Sequence, residues 1–236
     1  MTTHHAVESP YAWTRLVTSL LLSTIGGVGM WSVVVALPAV QADFGVARGA
    51  ASFSYTLTMI GFGFGSILLG KLSDRYGVML PVIVGTLLLG AGFVAAALAP
   101  GLGAYAWAQG LLIGVGSAAT FSPLLAHVSQ WFDRRRGIAV AIFASGNYLA
   151  GAVWPPIVQH FIASDGWRST YFGIGAFCFA TMLPLTLLLK RPAPLAAVGA
   201  VSDAAALAAV TTTRPRTARP GAATPRRRRS PGASIP

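Results

Sequence analysis

Charge and cysteine are scarce in this 236-residue chain. Only 10% of its residues are charged, and its acidic residues number 6. Water-soluble domains carry about 25% charged residues, so the composition excludes an ordinary soluble domain. The one cysteine, Cys178, excludes an intrachain disulfide and lies in an apolar run, which predicts a small core residue.

The sequence also lacks the residue clusters of a catalytic centre. It offers no His, Cys, Asp or Glu set spaced as metal ligands and no nucleophile with a positioned base, so we predict no enzymatic activity, no metal site and no cofactor. Every Asp and Glu lies in a terminus or in a link between apolar stretches. No ring of charge or filter-like loop indicates a channel.

Long apolar stretches dominate what is present, since 54% of the residues are hydrophobic. Each stretch is about as long as the roughly 20 residues that a helix needs to cross a bilayer. The stretches are continuous and do not alternate, which disfavours a β-barrel. We therefore predict an all-α membrane protein, a six-transmembrane-helix bundle over residues 13–190 in a lipid bilayer. The predicted spans are about 14–39, 52–70, 79–99, 104–128, 138–161 and 169–189.

The distribution of basic residues predicts the orientation of this bundle. The net charge is +11, but seven basic residues lie beyond residue 191 and most others lie beside span ends, so nucleic acid is not a predicted partner. With the N-terminus inside, eight basic residues near the spans are cytoplasmic: Arg15, Lys71, Arg75, Arg134, Arg135, Arg136, Lys190 and Arg191. Only Arg48 and Arg168 lie outside. This bias predicts a cell inner membrane protein with both termini cytoplasmic.

The two ends of the chain differ from the apolar region. Residues 1–12 are predicted to be a cytoplasmic N-terminal tail. Residues 191–236 are rich in Ala, Pro and Arg, cannot bury a core, and are predicted to be disordered. One interpretation is that the basic run of residues 226–229 attracts anionic lipid headgroups. The other is that the tail is a shifted reading frame of a GC-rich gene.

Small residues recur at four-residue spacing within the predicted spans. Gly61 and Gly65 form such a pair in span 2, and Gly110 and Gly114 form one in span 4. Span 5 has two more pairs, Ala141 with Ser145 and Gly146 with Ala150. Such pairs let helix backbones approach closely in lipid. They predict a tightly packed bundle.

The link between spans 2 and 3 carries the most informative motif. The segment Gly70-Lys-Leu-Ser-Asp74-Arg75-Tyr-Gly77 resembles the signature loop of the major facilitator superfamily, G-x-L-x-D-R-x-G-R-[RK], although Val78 departs from the basic residue expected there. The resemblance implies half of that superfamily's fold, the N-terminal six helices. It also implies a gating loop of Gly70, Asp74, Arg75 and Gly77, whose aspartate bonds to an arginine near span 4 and to the second half.

Two further segments carry the resemblance. Residues 131–139, Trp-Phe-Asp-Arg-Arg-Arg-Gly-Ile-Ala, resemble the superfamily's link between spans 4 and 5. An ion pair between Asp74 and Arg135 or Arg136 is therefore our hypothesis, and topology anchoring is the alternative for these arginines. Residues 146–156 and the Gly-Trp-Arg of 166–168 resemble the monocarboxylate and oxalate/formate-like branch. In that branch the cations that recognise carboxylates belong largely to the second half.

Polar residues within the spans are the candidates for solute binding. They are Gln109 in span 4, Asn147 and Tyr148 in span 5, and Trp31 and Ser32 in span 1. The resemblance implies that these three spans line the central cavity. The alternative is interhelical hydrogen bonding for Gln109 and Asn147, and packing for Trp31 and Tyr148.

These features predict transmembrane transport of a small organic solute, an anion such as a monocarboxylate, by alternating access. Two halves would rock around a midplane site, so the chain is expected to be a truncated N-terminal half with its C-terminal half missing. The alternatives are a non-transporting membrane fragment, an interaction subunit, or a half-transporter that is active when a second copy completes twelve spans.

Overall fold

The computed structural model describes residues 10–189, and this part of the chain is helical without a strand. The predicted tail of 191–236 and most of the predicted N-terminal tail lie outside the described residues. Nine helical segments follow one another in the described part: α1 Pro10–Gly26, α2 Val28–Phe44, α3 Arg48–Tyr76, α4 Met79–Ala97, α5 Leu102–Trp107, a π-helical segment Ala108–Gly114, α6 Val115–Ala118, α7 Ser122–Ser129 and α8 Arg136–Leu187.

Five stretches of residues 10–189 are long and apolar enough to cross a membrane: Tyr11–Phe44, Arg48–Tyr76, Met79–Ala97, Leu102–Ser129 and Arg136–Leu187. The last one has 52 residues, which at helical rise is about 78 Å and more than twice a bilayer core. Gly166 divides it, because its φ of 81° and ψ of 162° are not helical. The fifth stretch therefore contains both predicted spans 5 and 6, and each of the other four stretches contains one predicted span.

The structure corrects one detail of the predicted spans. The sequence predicts a link at residues 163–168, yet helix runs up to Gly166 and resumes directly after it. The chain is redirected there by one glycine without a loop, which hydropathy does not reveal because the flanking residues stay helical. The predicted span 1 lies within one continuous stretch, Tyr11–Phe44, because Gly27 between α1 and α2 keeps helical angles, with φ of −62° and ψ of −17°.

Three glycines with positive φ lie at helix ends on the links: Gly45 at 62°, Gly77 at 79° and Gly166 at 81°. A side chain would strain the backbone in this region. The Gly45 N–H donates to the carbonyl of Gln41, and the Gly77 N–H donates to that of Ser73. These bonds satisfy carbonyls that the helix end would leave without a partner.

The predicted small-residue pairs of spans 2 and 4 face each other. A Cβ added at Gly61 would collide with the carbonyl oxygen of Gly110, and one added at Gly114 would lie 2.6 Å from the carbonyl oxygen of Thr58. At Gly65 it would lie 2.8 Å from the Cα of Val115. The two backbones are thus in direct contact, as glycine spacing predicts for helices in lipid.

The core and the two ends of the bundle fix the positions of the candidate sites. Buried aromatic and aliphatic side chains form one main cluster, among them Leu16, Val28, Leu89, Phe93, Ile113, Leu124, Phe143 and Met182. Asp74 lies at one end of the bundle, here named the Asp74 end, together with the link between spans 4 and 5. Asp43, Ala99 and Arg168 lie at the opposite end, named the Arg168 end.

Candidate transport site and gating loop

A buried polar cluster joins spans 4 and 6. The Gln109 Nε2 donates to the hydroxyls of Tyr105 and Tyr171, each at 2.9 Å, and the two hydroxyl oxygens lie 2.9 Å apart. All three side chains are buried. Tyr105 precedes Gln109 by four residues, which places both on one helix face, whereas Tyr171 comes from a different span. We name these three residues the Gln109 cluster.

One hydrogen-bond acceptor of the Gln109 cluster has no partner. Within the described residues, the Oε1 of Gln109 makes no hydrogen bond, and the Ser32 side chain lies close to the Tyr171 hydroxyl. Gln109 also lies in the π-helical segment, a feature that is frequent at functional sites. A buried oxygen without a hydrogen bond lowers stability. The arrangement can therefore accept a hydrogen bond from a polar group that enters it.

The other predicted site residues do not join this cluster. The Trp31 ring packs on Gly151, where an added Cβ would lie 2.6 Å from its Cζ2. Asn147 is half-buried, and Tyr148 is 77% exposed on the surface of span 5. The structure thus brings Gln109 and Ser32 to the same tyrosine, Tyr171, whereas Trp31 packs on span 5 and Tyr148 lies at the surface.

The contacts of the Gln109 cluster favour an interhelical role. Gln109 lies about 10 Å beyond Leu102 along span 4, about as far from that end as from the middle of the stretch Leu102–Ser129. Substrate sites of secondary transporters lie near the midplane. In this structure Gln109 ties span 4 to span 6, and its contact with a solute stays a prediction.

Sequence reasoning missed Tyr105 and Tyr171. Tyr105 carried a usable signal, because a polar group four residues before Gln109 shares its helix face. Tyr171 carried none, since its contact with span 4 spans 62 residues of sequence.

The predicted gating loop lies at the surface of the Asp74 end. Asp74, Arg75, Arg135 and Arg136 are exposed, and Gly77 ends α3 with its positive φ. Gly70 faces span 4, where the Ser122 Oγ would lie 3.7 Å from an added Cβ. Asp74 makes no ion pair with another residue of the described part. Its pairing with Arg135 or Arg136 stays a prediction.

Aromatic side chains hold the start of span 1 against the link between spans 4 and 5. The Arg15 guanidinium lies 4.8 Å from the centre of the Trp131 ring, and the Tyr11 ring lies edge-on to that ring at 5.7 Å. The Trp131 indole N–H donates to the His127 Nε2 at 3.1 Å. These contacts hold Trp131, the first residue of the segment that resembles the superfamily's link between spans 4 and 5.

One arginine joins three elements at the opposite end. The Nη1 of Arg168 donates to the carbonyls of Ala97 and Ala99 at 2.8 and 2.9 Å, and its Nη2 lies 3.0 Å from the Asp43 Oδ2. Its guanidinium also stacks over the Trp167 ring at 4.5 Å. Arg168 therefore connects the ends of spans 1 and 3 to the start of span 6.

The sequence matches one family model over most of its length. That model, described as Major Facilitator Superfamily, matches residues 19–229. The chain belongs to the major facilitator superfamily. It is accordingly a multi-pass membrane protein of a transporter family, as the helices of residues 10–189 also indicate.

Individual superfamily relatives match a shorter region. Monocarboxylate transporter 12 of Mus musculus is 33% identical over 144 residues, which is 58% of this chain and 29% of that protein. Monocarboxylate transporter 11 of Homo sapiens is 38% identical over 138 residues, 54% of this chain and 29% of that protein. Riboflavin transporter RibJ of Trypanosoma cruzi is 36% identical over 129 residues, 54% of this chain and 27% of that protein. The chain thus matches less than a third of the length of these relatives.

The Gln109 cluster gives a stability prediction. We expect Gln109→Leu to lower the free energy of unfolding by about 1–2 kcal/mol, because both tyrosine hydroxyls lose a buried donor while leucine keeps the volume. Heating in detergent with a thiol-reactive dye measures this, since Cys178 is buried until the chain unfolds. Gln159→Leu is the matched control, because Gln159 is an exposed glutamine of span 5. Equal transitions for the two variants would contradict a role of Gln109 in packing.

Proposed function

We propose that this chain is the six-helix half of a carrier that moves a small organic anion, such as a monocarboxylate, by alternating access. The similarity to two monocarboxylate transporters is the observation that carries the choice of solute. The signature loop supports alternating access, since it lies exposed at the Asp74 end where a second half would contact it. Binding of carboxylate would fall mainly to cations of that second half.

An exposed pair of small residues on span 5 supports the proposal that a second helical unit, here called the second body, packs against this chain. Of the two small-residue pairs in this span, Gly146 and Ala150 pack inside the bundle, where an added Cβ on Gly146 would lie 2.9 Å from the Cδ1 of Leu20. The other pair, Ala141 and Ser145, is exposed. A small-residue pair in lipid allows close approach of another helix. The second body would be either a C-terminal half of six helices or a second copy.

Uptake measurements test this proposal. In a fusion protein, this chain is followed by the last six spans of a related monocarboxylate transporter. The fusion protein is reconstituted in vesicles, and a labelled monocarboxylate is added. We expect uptake above that of empty vesicles, which Asp74→Asn and Ser145→Trp each reduce at least about tenfold by disturbing the gate or the contact between halves. Tyr55→Trp is the control, because it enlarges an aromatic side chain that is already exposed on span 2.

The outcomes of the uptake experiment are distinct. Uptake by the chain alone would assign the second body to a second copy. The transport proposal would be overturned if neither the chain alone nor the fusion protein takes up the label, although Cys178 labelling shows that both are folded. The alternatives of a membrane fragment and an interaction subunit would then remain.

The proposed orientation places the Asp74 end in the cytoplasm of a cell whose inner membrane holds the protein, with both termini inside. The bias of basic residues supports this, because Arg75, Arg135 and Arg136 lie at that end. In a Cys178→Ala background, a membrane-impermeant maleimide should label Ala163→Cys in intact cells and spare Asp133→Cys until the cells are broken. Both positions are exposed. Labelling of Asp133→Cys alone would invert the orientation.

A further inference from the structure

A groove of about 620 Å³ runs between spans 5 and 6 in their Arg168-end halves. Its walls are apolar, with Ile157 and Phe161 on span 5 and Ile174 on span 6. The rings of Trp154 and Phe177 close its inner end, with centroids 5.8 Å apart and an edge-on arrangement. We name this feature the 5–6 groove.

A glycine, which has no side chain, leaves the 5–6 groove open on the span 6 side. Gly173 lines it, and a Cβ added there would meet nothing within 4 Å. The groove is therefore open at this point without any close contact of helix backbones. A larger side chain at residue 173 would occupy the groove and not the core of the bundle.

The outer end of the 5–6 groove is polar and negatively charged. Asp165 and Ser169 line it there, and Asp165 is exposed. Asp165 accepts a hydrogen bond from Ser164 and has no cationic partner within residues 10–189, because the nearby Arg168 pairs with Asp43. The groove thus combines an apolar body with a carboxylate at its mouth.

The length of the 5–6 groove matches one leaflet of a bilayer. Helical rise from Trp154 to Asp165 gives about 16 Å, which is half of a hydrocarbon core of about 30 Å. The polar mouth then lies at headgroup level, and the aromatic floor lies near the midplane. A transmembrane helix crosses both leaflets, so a groove restricted to one leaflet fits a lipid better than a helix.

We propose that the 5–6 groove binds one phospholipid whose headgroup ends in a primary ammonium, as in phosphatidylethanolamine. An acyl chain lies along Phe161, Ile157 and Trp154, and the ammonium donates hydrogen bonds to the Asp165 carboxylate, with the Ser169 hydroxyl beside it. A charged donor and a charged acceptor form the stronger class of hydrogen bond. An anionic phosphatidylglycerol headgroup is disfavoured, because the same carboxylate repels it.

Native mass spectrometry of the full chain tests this proposal. The chain is released from vesicles of equal parts palmitoyl-oleoyl phosphatidylethanolamine and phosphatidylglycerol, and the retained lipids are counted. We expect one retained phosphatidylethanolamine. Asp165→Asn should lower its preference over phosphatidylglycerol about two- to fivefold, as for loss of an exposed ion pair. Gly173→Leu should remove the retained lipid of either kind.

Matched variants control for charge and for bulk. Asp133→Asn removes an exposed carboxylate at the Asp74 end, and Gly63→Leu adds the same side chain at another exposed glycine with open space around it. Both should retain the lipid as the unchanged chain does.

Three results would overturn the proposal. The first is that Gly173→Leu and Gly63→Leu retain equal amounts of lipid. The second is that the unchanged chain shows no preference for phosphatidylethanolamine. The third is that two copies of the chain form a dimer and Gly173→Leu abolishes it. The last would make a second copy the occupant of the groove. The test does not involve transport, so its outcome is independent of the proposed carrier function.

Discussion

The Gly61→Ala variant is expected to lose about 3 kcal/mol of stability, at the upper end of the cost of overpacking a well-packed interior. The added methyl group would collide with the carbonyl oxygen of Gly110. That oxygen belongs to helix backbone, so no side-chain rotation relieves the collision, and spans 2 and 4 must move apart. Their separation would also break the contact of Gly114 with Thr58.

Gly63→Ala is the matched control for this variant. Gly63 lies two residues away on the same helix, is exposed, and has nothing within 4 Å of an added Cβ. Alanine there should be neutral or stabilising by up to about 1 kcal/mol, because glycine is the poorer helix former. The rate and temperature of Cys178 labelling in detergent measure both variants. Similar transitions would show that spans 2 and 4 are not in backbone contact.

The contact between spans 2 and 4 illustrates what the sequence could predict. Glycines at four-residue spacing have a physical role in lipid that leaves a visible pattern, so their spacing alone predicts Gly61, Gly65, Gly110 and Gly114 as packing residues. The number of crossings is predictable in the same way, since span length follows from bilayer thickness. The break between spans 5 and 6 is also predicted, within residues 163–168, but its form is not, because helix continues directly on both sides of Gly166.

The rotation of each helix about its axis is much harder to predict. In a soluble protein polar residues mark the exposed face of a helix, but in a bilayer the exposed face is apolar too. Gln109 and Tyr148 therefore look alike in sequence, as polar side chains within apolar runs. In the structure Gln109 is fully buried, whereas Tyr148 is 77% exposed. Sequence reasoning accordingly identifies Gln109, whereas its partner Tyr171 becomes visible only in the fold.

Arg168 shows a second limit of sequence reasoning. In the sequence it is one of two basic residues on the predicted outer side of the membrane and the last residue of the Gly-Trp-Arg segment, and neither feature names its partners. Positive-inside statistics describe the energetics of orientation and give no partner for an individual residue. The structure supplies the partners, because the carbonyls of Ala97 and Ala99 come from the end of span 3 and Asp43 comes from the end of span 1.

These partners differ in how much they should contribute to stability. The ion pair of Arg168 with Asp43 has side chains that are 41% and 42% exposed, so it is expected to contribute about 0–1 kcal/mol. The two carbonyls lie at a helix end and its following link, and each accepts a hydrogen bond from a charged donor, which is the stronger kind. Arg168 should therefore act mainly as a cap for span 3.

We expect Arg168→Met to lower the free energy of unfolding by about 2–3 kcal/mol, because both carbonyls lose a charged donor. Asp43→Asn should lower it by less than about 1 kcal/mol. Arg168→Lys should fall between the two, since a single ammonium cannot reach the carbonyls and the carboxylate with the geometry of a guanidinium fork. Thermal labelling of Cys178 in detergent, at low and at high salt, measures all three variants.

The salt dependence separates the two roles of Arg168. Salt screens the exposed ion pair, so the difference between Asp43→Asn and the unchanged chain should shrink at high salt, while the larger effect of Arg168→Met should persist. If Asp43→Asn is as destabilising as Arg168→Met, the ion pair and not the cap holds this end together. In that case spans 1 and 6 would separate in high salt, and the Arg168 end would not hold these spans together as one rigid unit.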